Sequence, residues 1–416
     1  MLHKKYSKLT HNLKGYNPII RTRSLDDFEI YNWFPYTQRF TSEFLRRVFN
    51  REEFMKSNNV LDPFMGSGNT LVACVEFGKN GFGIDVSPLF WFITTVKTTK
   101  YSVDDFNKAI ATVSNANKVE QLDPPLLSSF SKLFEKKQLN ELLTLRELAY
   151  ELPAKPKMIL LFALASKLID FSKAKRYGKG LHFKAGKEKT LEIKKTIITK
   201  IKKMQRSYFK FNHKGEAFPI LADARKLPLK IKDKNISEGQ IDIIFTSPPY
   251  CNSSDYIEMY KLEHWFLNFI STYEEFKKMS YSTIRSHTTF VNDDFDWSHP
   301  VLDEISLTLN GFKNNLWSKK IPLMILGYFD DLYKSLNEFY RILSPDKKAV
   351  IVVGNSCYSK VVIPTDLLIA EAAKDVGFRI EKIEVLRQLI TSGQQWKELD
   401  SESKSLLRES MITLTA

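Results

Sequence analysis

VLDPFMGSGNTLVACVEFGKNGFGIDVSP, residues 60–88, reads as strand, glycine loop, helix and second strand in quick succession. Val60 and Leu61 form a short strand that ends at Asp62. A loop with Gly66 and Gly68 follows, and Asn69 or Thr70 opens a helix through Phe77. Gly78 closes that helix, and residues 81–85 make a second strand, completing half of a βαβ unit. Glycines at such a turn let the backbone come close to a ligand. Asp85 lies 23 residues after Asp62, close to the ~20-residue spacing of a carboxylate that accepts from ribose hydroxyls. The spacing also excludes alternatives. GSGNT lacks the Lys-Ser/Thr ending of a phosphate-cradling NTPase loop, and Leu71 stands where a dinucleotide fingerprint has its third glycine. A nucleoside ligand without a pyrophosphate fits this loop best.

A second stretch, IDIIFTSPPY at residues 241–250, fits a buried parallel strand, since its first six residues are apolar or β-branched apart from Asp242. Pro248 and Pro249 end it, because proline removes a backbone donor and fixes φ. Ligands of open α/β sheets bind at the carboxyl ends of strands, which is where Ser247, the two prolines and Tyr250 would sit.

Together, DPFMGSGNT and TSPPY resemble the S-adenosylmethionine-dependent amino-methyltransferases of DNA, whose catalytic tetrapeptide is [DNS]-P-P-[YFW]. The resemblance covers roughly residues 30–98 and 216–415. It implies an α/β, Rossmann-like class I methyltransferase fold: a mostly parallel seven-stranded sheet with an antiparallel last strand, plus helical insertions. It implies S-adenosylmethionine as cofactor, no metal, and double-stranded DNA as substrate, with a companion restriction endonuclease as a further partner. The cofactor-binding residues it implies are Asp62, Pro63, Phe64, Gly66, Ser67, Gly68, Asn69 and Thr70 in the loop, Asp85 on the ribose, and Asp223 with Ala224 near the adenine. Pro35 and Tyr36, in NWFPYTQRF, belong to a segment that covers the cofactor. Ser247, Pro248, Pro249 and Tyr250 are the catalytic group. A serine at the first position favours cytosine N4 over adenine N6. An RNA amino-methyltransferase and a non-catalytic nucleic-acid-binding protein on the same scaffold are the competing readings.

The composition suits such a substrate. The 416 residues carry 62 Lys and Arg against 48 Asp and Glu, a net charge of +14, which points to a polyanionic partner. No run reaches the ~18 uncharged apolar residues of a membrane helix, and the N-terminus lacks the apolar core of a signal peptide, so the expected location is the cytoplasm of a prokaryote. Three scattered cysteines make neither a disulfide framework nor a zinc site. Cys251 adjoins the tetrapeptide but follows tyrosine rather than a single proline, and reads as a bystander to the chemistry.

Residues 1–28 read as a flexible arm or an accessory contact. The catalytic domain is expected over residues 1–100 and 216–416. Residues 101–215 form an insertion that would contact DNA, with helices at 126–152 and 156–171, the second strongly apolar and therefore buried. Residues 173–215 hold 15 Lys and Arg against two Glu, interleaved with Tyr177, Phe183, Tyr208, Phe209 and Phe211, a pattern suited to phosphate contact and base stacking. A second insertion at 271–325, with Arg285, Ser286 and His287, would contact DNA or close the site. DDFDW, near Asp293, reads as surface rather than a metal loop. Further strands are expected at 218–223, 240–246, 348–353, 378–385 and 409–415, and helices at 323–343 and 364–376.

Overall fold

A computed structural model describes residues 2–17, 29–36, 39–117, 130–177, 180–183, 192–227, 230–231, 234–235, 239–251, 255–289, 292–390 and 393–416. The central sheet is built from β1 (Thr10–Asn12), β2 (Asn59–Asp62), β3 (Asn80–Asp85), β4 (Glu216–Leu221), β5 (Ile241–Thr246), β6 (Leu343–Gly354), β7 (Arg379–Gln388) and β8 (Arg408–Thr415). Their order is β1-β7-β8-β6-β5-β2-β3-β4. Neighbouring pairs are parallel except around β8, which runs antiparallel to both β6 and β7.

The sheet therefore has eight strands, not the expected seven. The additional one is β1, which pairs Thr10–Asn12 with Ile383–Val385. Leu2 and Tyr6, just before it, are buried, so residues 2–12 are part of the fold rather than a loose arm. Residues 18–28, the rest of that expected arm, lie outside the described residues.

The chain runs outward from β2 through β3 to β4, then returns to place β5 on the other side of β2. The β2/β5 boundary is thus the point where strand order reverses, and a crevice opens there at the carboxyl ends of the strands. Residues 60–88 and 241–250 meet at that boundary because each strand is apolar enough to be covered on both faces. The polar side chains of β5 sit at its two ends: Asp242 accepts from Asn58 N and Asn59 N at 2.9 Å each, and the Thr246 hydroxyl donates to Asp62.

The helices that matter for the site are α1 (Ser42–Phe49), α2 (Asn69–Glu76), α3 (Pro88–Thr98), α4 (Val103–Asn115), α5 (Lys136–Tyr150), α6 (Ala154–Lys167), α7 (Ile193–Lys210), α8 (Tyr256–Met259), α9 (Ile321–Ile342) and α10 (Thr365–Val376). Helix α6 is buried along Ile159–Ser166, as its apolar run requires. Helix α5 starts later than expected, at Lys136; residues 126–129 of the expected span lie outside the described residues. One apolar core joins Val60, Val72 and Phe245 of the sheet region to Phe106 of α4, Leu142 of α5, Phe162 of α6 and Ile201 of α7. A second core packs the other face, with Leu61 and Ile244 against α9 and α10.

Candidate active site

The glycine loop after β2 is held from three sides. Gly66 and Gly68 take positive φ of 48° and 76°, the left-handed region that glycine enters without strain. At Gly68 a Cβ would also sit 2.4 Å from Thr94 Oγ1 of α3, so only glycine fits. The side chain of Asp62 turns inward: Oδ1 accepts from Phe64 N at 3.1 Å and from the Thr246 hydroxyl at 2.7 Å. Burial pushes its carboxyl up to about 6, opposed by the hydroxyls of Thr70 and Thr246 and the Phe64 N–H.

Asp85 closes the loop from the next strand. Its Oδ2 accepts from Gly66 N at 3.0 Å and its Oδ1 from Ser87 N at 2.9 Å. Burial pushes this carboxyl up to about 7, with the two N–H donors pulling the other way. The third hold comes from Lys97 on α3. Its ammonium is buried and donates to Ser67 O at 2.8 Å, Asn69 Oδ1 at 2.9 Å and Tyr31 O at 3.3 Å. Burial lowers its pKa well below the usual lysine value.

Leu71, at the position of a dinucleotide fingerprint's third glycine, is accommodated from the strand side. A Cβ on Gly83 would lie 2.7 Å from Leu71 Cδ1 and from Met65 Sδ, and one on Gly81 would lie 2.8 Å from Cys74 Cβ. The close helix–strand approach is therefore supplied by two glycines in β3.

At the boundary between β2 and β5 lies a cleft of about 540 Å³, within the range of small-molecule and cofactor sites. It is lined by Tyr36, Pro63, Phe64, Gly66, Asp85, Asp223, Ala224 and the whole tetrapeptide Ser247, Pro248, Pro249 and Tyr250. Asp62, Ser67, Gly68, Asn69, Thr70 and Pro35 are not among its lining residues. The first five are buried behind the loop. Pro35 contributes its carbonyl, which accepts from the Tyr260 hydroxyl at 3.2 Å. Tyr36 stacks on Tyr256 and Tyr260 at centroid separations of 6.1 and 5.6 Å and meets Phe90 edge-on. Its hydroxyl reaches over Gly66, 3.4 Å from where a Cβ would be.

Tyr250 is fixed by residues far along the chain. Its hydroxyl donates to Glu409 Oε1 at 2.5 Å, and Glu409 is also ion-paired with Arg387. Burial and then the Glu409 charge raise the phenol's pKa well above the usual tyrosine value. The ring lies against Gly354 at the end of β6, where a Cβ would be 2.9 Å from Tyr250 Cε2. Sequence reading missed Glu409 and Arg387. The available signal was a glutamate inside a strand, β8, whose eight residues are all buried.

Asp223 lines the cleft, but its carboxylate is already engaged. Arg225 Nη2 donates to Asp223 Oδ2 at 2.7 Å, and Arg225 Nη1 reaches Asp331 of α9 at 3.1 Å. Asp223 also organises its own turn, accepting from Arg225 N at 2.9 Å. Arg285, in the insertion expected to contact DNA or close the site, pairs with Asp330 and Asp331, two buried acids that need a cation. The loop it anchors puts Ser286 and His287 in the cleft wall, beside Thr283. Arg39 is a further lining residue that sequence reading missed. Cys251 is buried and does not line the cleft; its carbonyl accepts from the Tyr358 hydroxyl at 3.0 Å.

Among the described residues, no group of three or more His, Cys, Asp or Glu side chains is placed to hold a metal ion. No described helix is long and apolar enough to cross a membrane.

Comparison with known proteins agrees with this geometry. A family model described as DNA methylase, of the N6/N4 class, matches residues 16–93. The type II methyltransferase M.BsoBI of Geobacillus stearothermophilus is 25% identical, over 99% of this chain and 90% of that protein. M.AvaI of Anabaena variabilis, also named a type II methyltransferase, is 25% identical over 91% of this chain and 85% of its own length. M.MjaII of Methanocaldococcus jannaschii reaches 36% identity, but over only 24% of this chain and 20% of that protein. The reversal of strand order, the glycine loop and the Ser-Pro-Pro-Tyr turn in one cleft stand beside these similarities: the chain resembles N6/N4 DNA methylases over residues 16–93 and type II DNA methyltransferases along most of its length.

Proposed function

We propose that the chain methylates the exocyclic amine of a base flipped out of double-stranded DNA, with cytosine N4 the favoured target. The observation that carries this reading is the meeting of the glycine loop and the tetrapeptide across one cleft at the β2/β5 boundary. The family implies S-adenosylmethionine, which supplies a methyl group activated on a sulfonium. The residues present suit a nucleoside of that kind: Asp85 offers a carboxylate on the cleft wall, Gly66 admits close backbone approach, and the Tyr36 ring covers the loop.

The chemical difficulty lies in the nucleophile, since an aromatic amine delocalises its lone pair into the ring. No covalent bond to the protein is needed. The site has to hold the amine in line with the methyl and localise its lone pair. The Ser247 hydroxyl and the Pro248 carbonyl accept the amine hydrogens, and the two prolines keep that backbone rigid. Tyr250 stacks on the base. Flipping costs a few kcal/mol, and stacking returns ~1–3 kcal/mol of it. Ser247 at the first position of the tetrapeptide supports cytosine over adenine.

DNA is drawn in by the basic insertion. On α7, Lys195, Lys202, Arg206 and Lys210 are exposed, with Phe209 half-exposed at the same end. This face suits phosphate contact. The relatives' type II names support a role in a restriction–modification system, with a companion endonuclease and activity in a prokaryotic cytoplasm.

The test is methyl transfer from labelled S-adenosylmethionine into duplex DNA of diverse sequence, followed by digestion to nucleosides. N4-methylcytosine is the expected product, and N6-methyladenine would correct the base assignment. Incorporation into RNA alone, or none from protein that binds the cofactor, would overturn the reading.

A further inference from the structure

Methylating an amine releases a proton, and the tetrapeptide offers nothing to keep it: a serine hydroxyl and a carbonyl accept hydrogen bonds but do not hold a proton near neutral pH. The carboxylates in the cleft wall are committed. Asp85 takes two backbone N–H groups, Asp223 takes Arg225, and Glu409 takes Tyr250 and Arg387. His287 is different. Its side chain is buried, and among the described residues its Nδ1 is the one buried side-chain polar atom of the cleft wall that makes no hydrogen bond. Its Nε2 lies 3.1 Å from the hydroxyl of Thr283, a residue that lines the cleft. On the far side, Nδ1 is 3.7 Å from Asp255 Oδ2, an ion-pair distance. The other oxygen of Asp255 is fixed by Ile257 N and Glu258 N at 2.9 and 3.0 Å, at the start of α8.

We propose that Thr283, His287 and Asp255 form a proton relay in the cleft wall that receives the proton lost by the methylated amine. This rests on the amine-methylating function proposed above. The amine lone pair forms the new C–N bond, and the C–S bond breaks with its electron pair going to sulfur. An N–H bond then breaks, leaving its electrons on nitrogen. Its proton passes to Thr283 Oγ1 while the hydroxyl proton of Thr283 passes to His287 Nε2. The imidazolium so formed faces Asp255 and returns its proton to solvent after product leaves. Thr283 touches the substrate; His287 and Asp255 act through it. In the resting state Thr283 Oγ1 lies 2.7 Å from Ser280 O, so the relay requires that hydroxyl to turn from Ser280 to His287. The charged group facing His287 is Asp255; Arg285, two residues earlier, turns away to Asp330 and Asp331 on α9. Burial lowers the pKa of His287 and Asp255 opposes this, which keeps the imidazole neutral and able to accept.

The experiment is single-turnover methyl transfer at saturating cofactor and DNA, from pH 5.5 to 9, on wild type, His287→Gln, Thr283→Val and Thr283→Ser. General-base help of this kind is worth ~10²-fold or more. His287→Gln and Thr283→Val are expected to slow the methyl-transfer step by ~10²-fold, with KM for DNA and cofactor within about twofold. Wild type should lose rate on the acid side as His287 protonates, and His287→Gln should lose that acid limb. Thr283→Ser should restore most of the rate. An unchanged rate and pH profile in His287→Gln, or a loss confined to KM, would overturn the relay. Absence of methyl transfer by wild type would instead remove the function on which it rests. Cofactor binding by each variant separates loss of the relay from loss of the fold; if His287→Gln does not bind cofactor, the Thr283→Val and Thr283→Ser pair decides.

Discussion

The Thr246 hydroxyl donates to Asp62 Oδ1 at 2.7 Å, a side-chain bond between the carboxyl ends of the two strands at which the sheet reverses order. The last residue before the tetrapeptide is thereby tied to the first residue of the glycine loop. Thr246→Val keeps the shape and removes the donor. A buried acceptor left short of a partner costs ~1–3 kcal/mol. The expected result is a drop of that size in unfolding free energy, with slower methyl transfer, read by urea titration and a single-turnover assay.

Asp62 also has a signature in pH. Its carboxyl is raised to about 6 by burial, above the unfolded value of ~3.9. A raised carboxyl contributes stability at pH below the unfolded value, and this is lost as pH climbs through the folded one. The difference is worth ~3 kcal/mol. Asp62→Asn should therefore flatten the stability curve between pH 4 and 6.5 relative to wild type. Parallel curves for the two proteins would show that Asp62 is ionised throughout.

Asp85 titrates in a more useful range. Burial raises it to about 7, and an ionised carboxylate is the form that accepts two ribose hydroxyls. Cofactor affinity is expected to rise with pH and level off above 7, falling about tenfold per unit on the acid side. Calorimetric titration from pH 5.5 to 8.5 measures this. Asp85→Asn should bind weakly at every pH and show no such slope.

The tether on Tyr250 separates ring from hydroxyl. Tyr250→Ala removes a stacking platform worth ~1–3 kcal/mol per base, and turnover on DNA should fall ~10- to 100-fold. Tyr250→Phe keeps the ring but leaves Glu409 to Arg387 alone. Its loss should be a few-fold, with an equal loss in Glu409→Gln. Equal, large losses in Tyr250→Phe and Tyr250→Ala would mean that the hydroxyl, not the ring, does the chemistry.

Exposed cations on α7 give a salt-dependent prediction. Replacing Lys202 and Lys210 with Glu should weaken binding to any duplex alike. For every phosphate that the variant no longer neutralises, the slope of log affinity against log salt should fall by ~0.9. Cofactor affinity should not move, since neither residue lines the cleft. A slope equal to wild type would place the DNA elsewhere.

The parts of this molecule that are legible in its sequence are those written in consecutive residues. Strand, glycine turn, helix and acid in residues 60–88, and the strand with its two prolines in 241–250, depend on local periodicity and spacing alone. What escapes is long-range pairing. β1 has three residues and no apolar period, and it exists because Ile383–Val385 offers an edge. Glu409 stands at the start of the last expected strand, and nothing in its neighbours announces that Tyr250 lies against it. Lys97 sits in a helix that otherwise reads as apolar, with no indication that three carbonyl or amide oxygens await its ammonium. Arg285 is a further case: nothing in its polar stretch announces the two acids buried on α9 with which it pairs.

The shared apolar core bears on engineering. Trp33, three residues before Tyr36, hydrogen-bonds through Nε1 to Ser207 of α7 at 2.8 Å, and the Tyr208 hydroxyl accepts from Tyr101 N at 2.7 Å. Helices α4 to α7 are therefore built into the wall behind the glycine loop. A cassette cut from residues 101–215 of one such enzyme and spliced into another would not carry a specificity across intact. Under the DNA-contacting role proposed for this insertion, exchange of DNA preference between relatives is to be sought in the exposed side chains of α7, with the buried face kept.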